Sequence, residues 1–291
     1  MNKLTLRQLN IFVAVAERKS LAAAGRHLRL SQATLSEALR SLEGNLGKML
    51  FDRTNRRLQL TPSGRAFLKD AKSLLASSEA LFHRYAGRAM LLCGASVTVG
   101  NYILPPVLIS LCETHPELQI DLVVRNTEGI TRMLLNREIH AAVVEGQVTN
   151  AQLLTTAWRE DELAIFAAPT NPLVTGASIT DLAEAEWILR EVGSGTRESF
   201  DAAAQDWPNL PKVAINAGGN EFIKRAVASG NRLGCLSRAA VSAEVERGEL
   251  AFVPVGMPPI VRTLTFVRRR DAIEDPLLPI FMEALGVIGG G

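Results

Sequence analysis

Two short stretches of this 291-residue chain combine hydroxyls and glycines at spacings suited to holding a small anion. The first, Ala95-Ser96-Val97-Thr98-Val99-Gly100-Asn101, follows an apolar run and precedes a helix expected from about Tyr102. The second, Val192-Gly193-Ser194-Gly195-Thr196-Arg197, follows the run WILR and precedes a helix expected from about Glu198. Each sets Ser and Thr hydroxyls and free backbone N–H groups at a helix N-terminus, where the helix dipole favours negative charge. Gly100 and Gly195 allow close backbone approach, and Arg197 adds a positive charge with bidentate reach. Asn220 is expected to cap the helix EFIKRAVASG and to join the same site. Glu145, at the end of the run HAAVVEG, would line it too, although a carboxylate opposes an anion unless it is paired or protonated. Two ordinary helix caps would look alike; the repetition of the pattern favours a ligand.

The chemistry these residues suggest is reversible binding. Ser194 lies in G-S-G-T, which is not the G-x-S-x-G elbow of a nucleophile, and no His is near it in sequence. The three cysteines, Cys93, Cys112 and Cys235, are far apart with no C-x-x-C spacing, and the four His form no H-E-x-x-H. No metal, cofactor or catalytic residue is therefore expected. Cys235, in RLGCLS, reads as a small buried hydrophobe rather than a redox sensor.

The elements that must carry these loops lie in the region 91–291. Short apolar runs (LLCGAS, IDLVV, HAAVVEG, LAIFAAP, EWILR, KVAIN, RLGCLS, LAFVPV and TLTFV) alternate with amphipathic segments. That alternation predicts an α/β body with mainly parallel sheets. Its length and two transitions near Phe166 and Thr265 predict two lobes joined by crossing strands: lobe I from about 91–165 and 266–291, lobe II from about 166–265. In an open α/β body ligands sit at the C-terminal ends of strands, so both loops are expected to face one cleft.

Residues 1–61 have a different character. Thr5 and Gln8 form a capping box for a helix with Leu9, Phe12 and Val13 on its apolar face. A short Ala-rich helix from Ser20 to Leu28 follows, then a tight break, then a helix from about Gln32 with Ser31 at its N-cap. Leu35, Leu39 and Leu42 mark the buried stripe of that helix. Its outer side offers Gln32, Ala33, Thr34, Ser36, Glu37 and Arg40, which is the layout of a helix-turn-helix that enters a DNA major groove. Phe51 and the alternation at Leu58 and Leu60 predict a two-stranded wing with Arg53, Arg56 and Arg57 near its tip, placed for phosphate contact.

Charge supports that division. Residues 1–65 carry twelve Lys and Arg against four Asp and Glu, a net of +8, so the rest of a chain with net charge +2 carries −6. A basic head on an acidic body suits contact of the head alone with a polyanion. Thr61-Pro62 then opens a helix expected to run to about residue 90. Phe67, Leu74 and Leu81 are seven apart, as are Leu68, Leu75 and Phe82, and Ala71, Ser78 and Tyr85. Such heptads predict pairing with a second copy. No apolar run approaches the ~18 residues of a membrane span, and MNKLTLRQLN lacks a signal-peptide core, so a cytoplasmic location is expected.

The run LRQLNIFVAVAERKSLAAAGRHLRLSQATLSEALRSLEGNLGKMLFDR resembles the DNA-binding domain of the LysR-type transcriptional regulators. The resemblance rests on Phe12, Ala22 to Ala24, Leu30-Ser31-Gln32, Ser36, Leu42-Glu43, Leu46-Gly47, Leu50 to Arg53 and the T-x-x-G of Thr61 to Gly64. Glu37 departs from the pattern, which often has a basic or amide residue there; it either accepts from a cytosine amine or repels phosphate. The resemblance implies a winged helix-turn-helix, a linker helix over 62–90 and a periplasmic-binding-protein-like effector domain over 91–291. It implies double-stranded operator DNA as partner, dimers or tetramers and contact with RNA polymerase. GNYILPPVLI, FAAPTNPL, WILREVGSGTRE and the stretch from Asn220 to Ser237 resemble a sulfite-responsive branch of that family, implying sulfite or a related sulfur oxyanion as effector. A cytoplasmic small-molecule-binding protein or an enzyme built on the α/β body is the alternative to a regulator.

Overall fold

Thr5 begins the first helix as its sequence predicts: its side chain accepts from the Gln8 N–H, and the Gln8 side chain accepts from the Thr5 N–H at 3.1 Å. In the computed structural model, which describes residues 4–52, 58–85, 89–272 and 277–287, the chain forms two units. One comprises Met1–Arg88 with Asn136–Glu138, the other Ala89–Leu135 with Ile139–Gly291.

In the first unit, α1 (Leu6–Arg18), α2 (Leu21–Leu28) and α3 (Gln32–Leu46) are each ended by a left-handed residue, Lys19, Arg29 and Gly47. Ser20 and Ser31 cap α2 and α3 by accepting from the Ala23 and Thr34 N–H groups. Leu9, Phe12, Val15, Leu35, Leu39 and Leu42 close the core. The strands β1 (Phe51–Asp52) and β2 (Gln59–Leu60) pair antiparallel. Buried Glu43 holds the approach to β1: its Oε1 accepts from the Leu50 and Phe51 N–H groups at 2.8 and 3.1 Å. The wing tip, with Arg53, Arg56 and Arg57, lies outside the described residues.

Thr61 caps α4 (Pro62–Tyr85) by accepting from the Gly64 N–H at 2.9 Å. Gly64 is required sterically, since a Cβ there would stand 2.0 Å from the Leu50 carbonyl oxygen. The heptad positions divide by burial. Phe67, Leu68, Ala71 and Leu75 pack on the helix-turn-helix core, with the Phe67 ring 5.1 Å from that of Phe12, whereas Leu74 and Phe82 are exposed. The side chains of Leu81 and Tyr85 lie outside the description. Met90 is not helical: β3 begins at Ala89, where the continuous apolar run AMLLCGAS starts.

The second unit is built on one mixed sheet. Its strands are β3 (Ala89–Ser96), β4 (Leu118–Arg125), β5 (Ala141–Glu145), β6 (Leu153–Ala167), β7 (Glu186–Arg190), β8 (Lys212–Ala217), β9 (Leu233–Ser237), β10 (Ala251–Phe252) and β11 (Ile260–Arg269). The order is β4-β3-β5-β11-β6-β9-β7-β8, with β10 against β6. The expectation of mainly parallel pairing holds only within each lobe, for β3 with β4 and β5 and for β7 with β8 and β9. The long strands β6 and β11 are antiparallel to each other and to their neighbours β5 and β9, because the chain passes from lobe I to lobe II along β6 and returns along β11.

Helices α5 (Pro105–Thr114), α6 (Thr127–Leu135) and α11 (Leu277–Ala284) belong to lobe I; α7 (Ile179–Glu184), α8 (Gly195–Ala203), α9 (Asn220–Ala228) and α10 (Arg238–Glu246) belong to lobe II. Separate cores fill them, one around Leu91, Leu104, Phe266 and Phe281 and another around Trp187, Phe200 and Trp207. Among the described residues no helix is long and apolar enough to cross a membrane.

Candidate ligand cleft and nucleic-acid interface

The two Gly/Ser/Thr loops meet. Ser96 ends β3, and the chain then turns into a π-helix, Val99–Ile103, ahead of α5. Ser194 precedes α8 at the carboxyl end of β7. Between them stands Glu145, the last residue of β5. Its Oε1 accepts from the Thr98 N–H at 3.0 Å and its Oε2 from the Thr196 hydroxyl at 3.2 Å. Asn220 donates to the Thr98 hydroxyl at 3.4 Å and accepts from Arg190 at 2.9 Å. Ser96, Thr98, Glu145, Ser194, Thr196 and Asn220 are all at most 2 % exposed. Contributions from lobe I (Ser96, Thr98, Glu145) and lobe II (Ser194, Thr196, Asn220) therefore converge on one buried polar cluster.

Two of its hydroxyls have no protein partner: Ser96 Oγ and Ser194 Oγ. Ser194 stands at the N-cap of α8 yet makes no capping bond. A buried, unpaired hydroxyl costs about 1–3 kcal/mol, which makes these two the candidate contacts for a bound molecule. Backbone contact across the cleft is equally close: the Glu128 N–H of α6 donates to the Gly193 carbonyl at 3.1 Å. A Cβ on Gly195 would lie 2.5 Å from the Glu145 carbonyl oxygen.

Six charged or polar side chains in or beside this cluster were not among the sequence candidates. Arg262 of β11 donates to Thr196 at 2.8 Å, lies 3.3 Å from Glu145, and pairs with Asp161 of β6 at 2.7 Å. Ser237 donates to the other Asp161 oxygen at 2.7 Å. Arg190, only 1 % exposed, pairs with Glu191, whose carboxylate also accepts from Asn126 of lobe I. A sequence signal existed for Arg262. It shares the inward face of β11 with Leu264 and Phe266, and a charge on a buried strand face needs a partner.

Glu145 is ionised despite its position. Burial alone would raise its pKa, but Arg262, the Thr98 hydrogen bond and the Arg190 charge outweigh that and hold it below the ordinary carboxylate value. The condition set for a carboxylate in an anion site, that it be paired, is met by Arg262. Glu191 is likewise held low: burial pushes it up, while the contact with Arg190 and the Asn126 bond bring it down.

The remaining sequence candidates lie differently. Gly100 packs its backbone on Val124, where a Cβ would come within 2.8 Å, and Asn101 is exposed. The guanidinium of Arg197 is engaged by Asp201 at 2.8 Å, Asn216 at 2.6 Å and the Arg190 carbonyl at 3.3 Å, so the structure does not bring it to the cluster. Asn220 is not the cap of α9. Gly219 holds that position, and the Asn220 amide is drawn to Thr98 and Arg190 instead. Cys93 and Cys235 are buried, which pushes both thiols up to about 12; neither is poised as a reactive thiolate. Among the described residues no group of three or more His, Cys, Asp or Glu is placed to hold a metal ion.

In the first unit, α3 exposes Gln32, Ala33, Glu37 and Arg40, with Thr34 and Ser36 partly buried. Ser31 is tied locally, its hydroxyl 2.8 Å from that of Thr34. With 100° per residue, Ala33, Glu37 and Arg40 share the face opposite Leu35, Leu39 and Leu42, which leaves a short polar ridge of the width a major groove admits.

Residues 6–65 match the family described as "Bacterial regulatory helix-turn-helix protein, lysR family", and residues 89–286 match "LysR substrate binding domain". The chain is 39% identical over 286 residues to the "Uncharacterized HTH-type transcriptional regulator YeiE" of Escherichia coli (strain K12), covering 96% of each. It is 30% identical over 266 residues to the HTH-type transcriptional regulator CysL of Bacillus subtilis (strain 168), covering 89% of each. Among solved structures, that of CbnR, a LysR family transcriptional regulator, superposes with a TM-score of 0.73 at 21% identity, over 97% of this chain and 98% of that one.

Proposed function

The chain belongs to the LysR family of bacterial helix-turn-helix transcriptional regulators, and from that premise we propose that its ligand-binding domain takes a small sulfur oxyanion, sulfite first, between the two lobes. The observation that carries this reading is the pair of buried, unpartnered hydroxyls, Ser96 Oγ and Ser194 Oγ, one from each lobe. A compact oxyanion accepts from both at once, along with free N–H groups at the start of α8. The basic side chains at the cluster, Arg190 and Arg262, are matched by the acidic Glu145, Asp161 and Glu191, so cations are not in excess. Selection therefore falls to neutral donors and to size. The close packing of Gly195 and Gly193 against lobe I favours a compact ligand over a bulky carboxylate or aromatic acid.

The protein is a DNA-binding regulator, and its α3 ridge and basic wing address an operator. It works in the cytoplasm as a dimer or tetramer paired through α4, a reading supported by the apolar heptad spacing of that helix and by the exposure of Leu74 on it. Effector binding favours closed lobes, which changes the spacing of the DNA-reading heads and so the engagement of RNA polymerase. Thermal-shift measurements on the full chain with sulfite, sulfate, thiosulfate, phosphate and short carboxylates test the effector assignment. Sulfite should raise the midpoint, and Ser96→Ala combined with Ser194→Ala should abolish the rise while leaving operator affinity intact. A shift with no sulfur oxyanion, or only with a bulky aromatic acid, overturns it.

A further inference from the structure

Tyr102 lies one residue beyond Asn101, in the π-helical turn of lobe I that follows Thr98; π-turns recur where a helix is bent to serve a site. Its ring packs against the cores of both lobes. Its hydroxyl donates to Glu221 Oε1 of α9 at 2.7 Å. Glu221 in turn follows Asn220, the residue that joins Thr98 to Arg190. The same Glu221 oxygen lies 2.6 Å from the ammonium of Lys224, which also pairs with Glu244 of α10 at 2.9 Å and stands 5.2 Å from the centre of the Tyr102 ring.

Lys224 is 5 % exposed, an unusual position for an ammonium. Burial would lower its pKa, but Glu221 and Glu244 outweigh that and raise it, so it stays charged. Tyr102 is pushed up to about 12 by burial and by the Glu221 carboxylate; it remains a hydrogen-bond donor at any working pH. Neither residue belongs to the buried cluster around Glu145. Both are attached to its two sides, one residue or one helical turn away.

We propose that Tyr102, Glu221 and Lys224 form an inter-lobe clasp that positions the Thr98 turn against Asn220 and so sets how readily the cleft closes on its ligand. The inference rests on the effector reading for its functional consequence, but the clasp itself does not. Lys224, fixed from within lobe II by Glu244, holds the Glu221 carboxylate where the lobe I phenol meets it. Loss of the phenol hydroxyl leaves Glu221 to Lys224 alone and removes the shorter of two side-chain ties at this end of the cleft, the other being Asn220 to Thr98 at 3.4 Å. These are positioning residues, since none of them is placed to touch the ligand.

The test uses the full chain as Tyr102→Phe, Glu221→Ala and the double variant. Hydrogen exchange of segments 98–104 and 219–225 is measured without ligand, and sulfite affinity by calorimetry. A hydrogen bond to a charged group, discounted for the exposure of Glu221, predicts about three- to tenfold faster exchange in both segments for Tyr102→Phe. Sulfite affinity should fall by the same factor, and the double variant should be no worse than the more impaired single one, because both remove one shared contact. Exchange unchanged from wild type in Tyr102→Phe overturns the clasp, as do single effects that simply add. The exchange arm needs no ligand, so failure of wild-type protein to bind sulfite overturns the effector assignment and leaves the clasp to be decided by exchange.

Discussion

Replacing Gly195 by Ala drives a wedge between the lobes. The added Cβ would stand 2.5 Å from the Glu145 carbonyl oxygen, 2.7 Å from its carbonyl carbon and 2.8 Å from its Cβ, where ordinary contact begins at 3.4 Å. Two of the three atoms are backbone at the end of β5, so no rotamer change relieves the clash, and α8 must retreat from β5 by about 0.9 Å. Overpacking of this kind costs about 1–3 kcal/mol. The open cleft relieves it while the closed one does not, so the cost falls on closure and appears as about 5- to 150-fold weaker effector binding. Gly218→Ala, at a position with no atom within 4 Å of the added carbon, is the control. Sulfite calorimetry on the three proteins, with unfolding curves to show that both variants fold, decides the matter. Wild-type affinity in Gly195→Ala would refute the claim that binding closes the lobes on this contact.

Other outcomes follow from the same cluster and from the DNA-reading head. Glu145 has a depressed pKa in the folded chain, so its contribution to stability is present above its unfolded value of about 4.5 and is lost as pH falls through the folded one. Glu145→Gln should therefore be less stable than wild type near pH 7, by about 1–3 kcal/mol, with the gap narrowing on acidification below that value; urea titrations at pH 7 and pH 4 measure both. Of the three thiols only Cys112 is exposed, and Cys93 and Cys235 are pushed up to about 12, so a thiol reagent at pH 8 should modify one cysteine rapidly in the native chain and all three after unfolding. Arg56→Ala with Arg57→Ala should weaken operator binding at every sequence and lower the slope of log affinity against log salt by about 0.9 for each phosphate contact removed; an unchanged slope would deny the wing its phosphate role.

Local chemistry was the most legible part of the sequence. Thr5 with Gln8, Ser31 and Thr61 announce their helices because a cap involves residues three apart, and each makes that bond. The strands of the α/β unit were legible for a similar reason, since each apolar run is self-contained. The centre of the candidate site was only half legible. Ser96, Thr98, Ser194 and Thr196 belong to loops whose composition gives them away, but the partners that set the electrostatics of Glu145 do not. Arg262 reaches Asp161 across 101 positions because β6 and β11 pair in that register, and nothing local to either residue encodes it. Arg197 misled for the opposite reason: it looked free in sequence, but Asp201 one turn along its own helix and Asn216 of β8 occupy it.

Strands β6 and β11 run side by side from Leu153 to Leu163 and from Ile260 to Arg269, shared by both lobes rather than ending at a flexible joint. A domain that opens about such a ribbon behaves as a torsion spring. Its travel is limited by how far two hydrogen-bonded strands twist, and it returns by elastic recoil when the ligand leaves. The register shift between Leu264 and Thr265 is the compliant point of the ribbon, since an irregularity of this type bends a strand with little loss of pairing. The stiffness of that ribbon, and not the grip on the ligand alone, then helps to set the concentration at which the regulator responds.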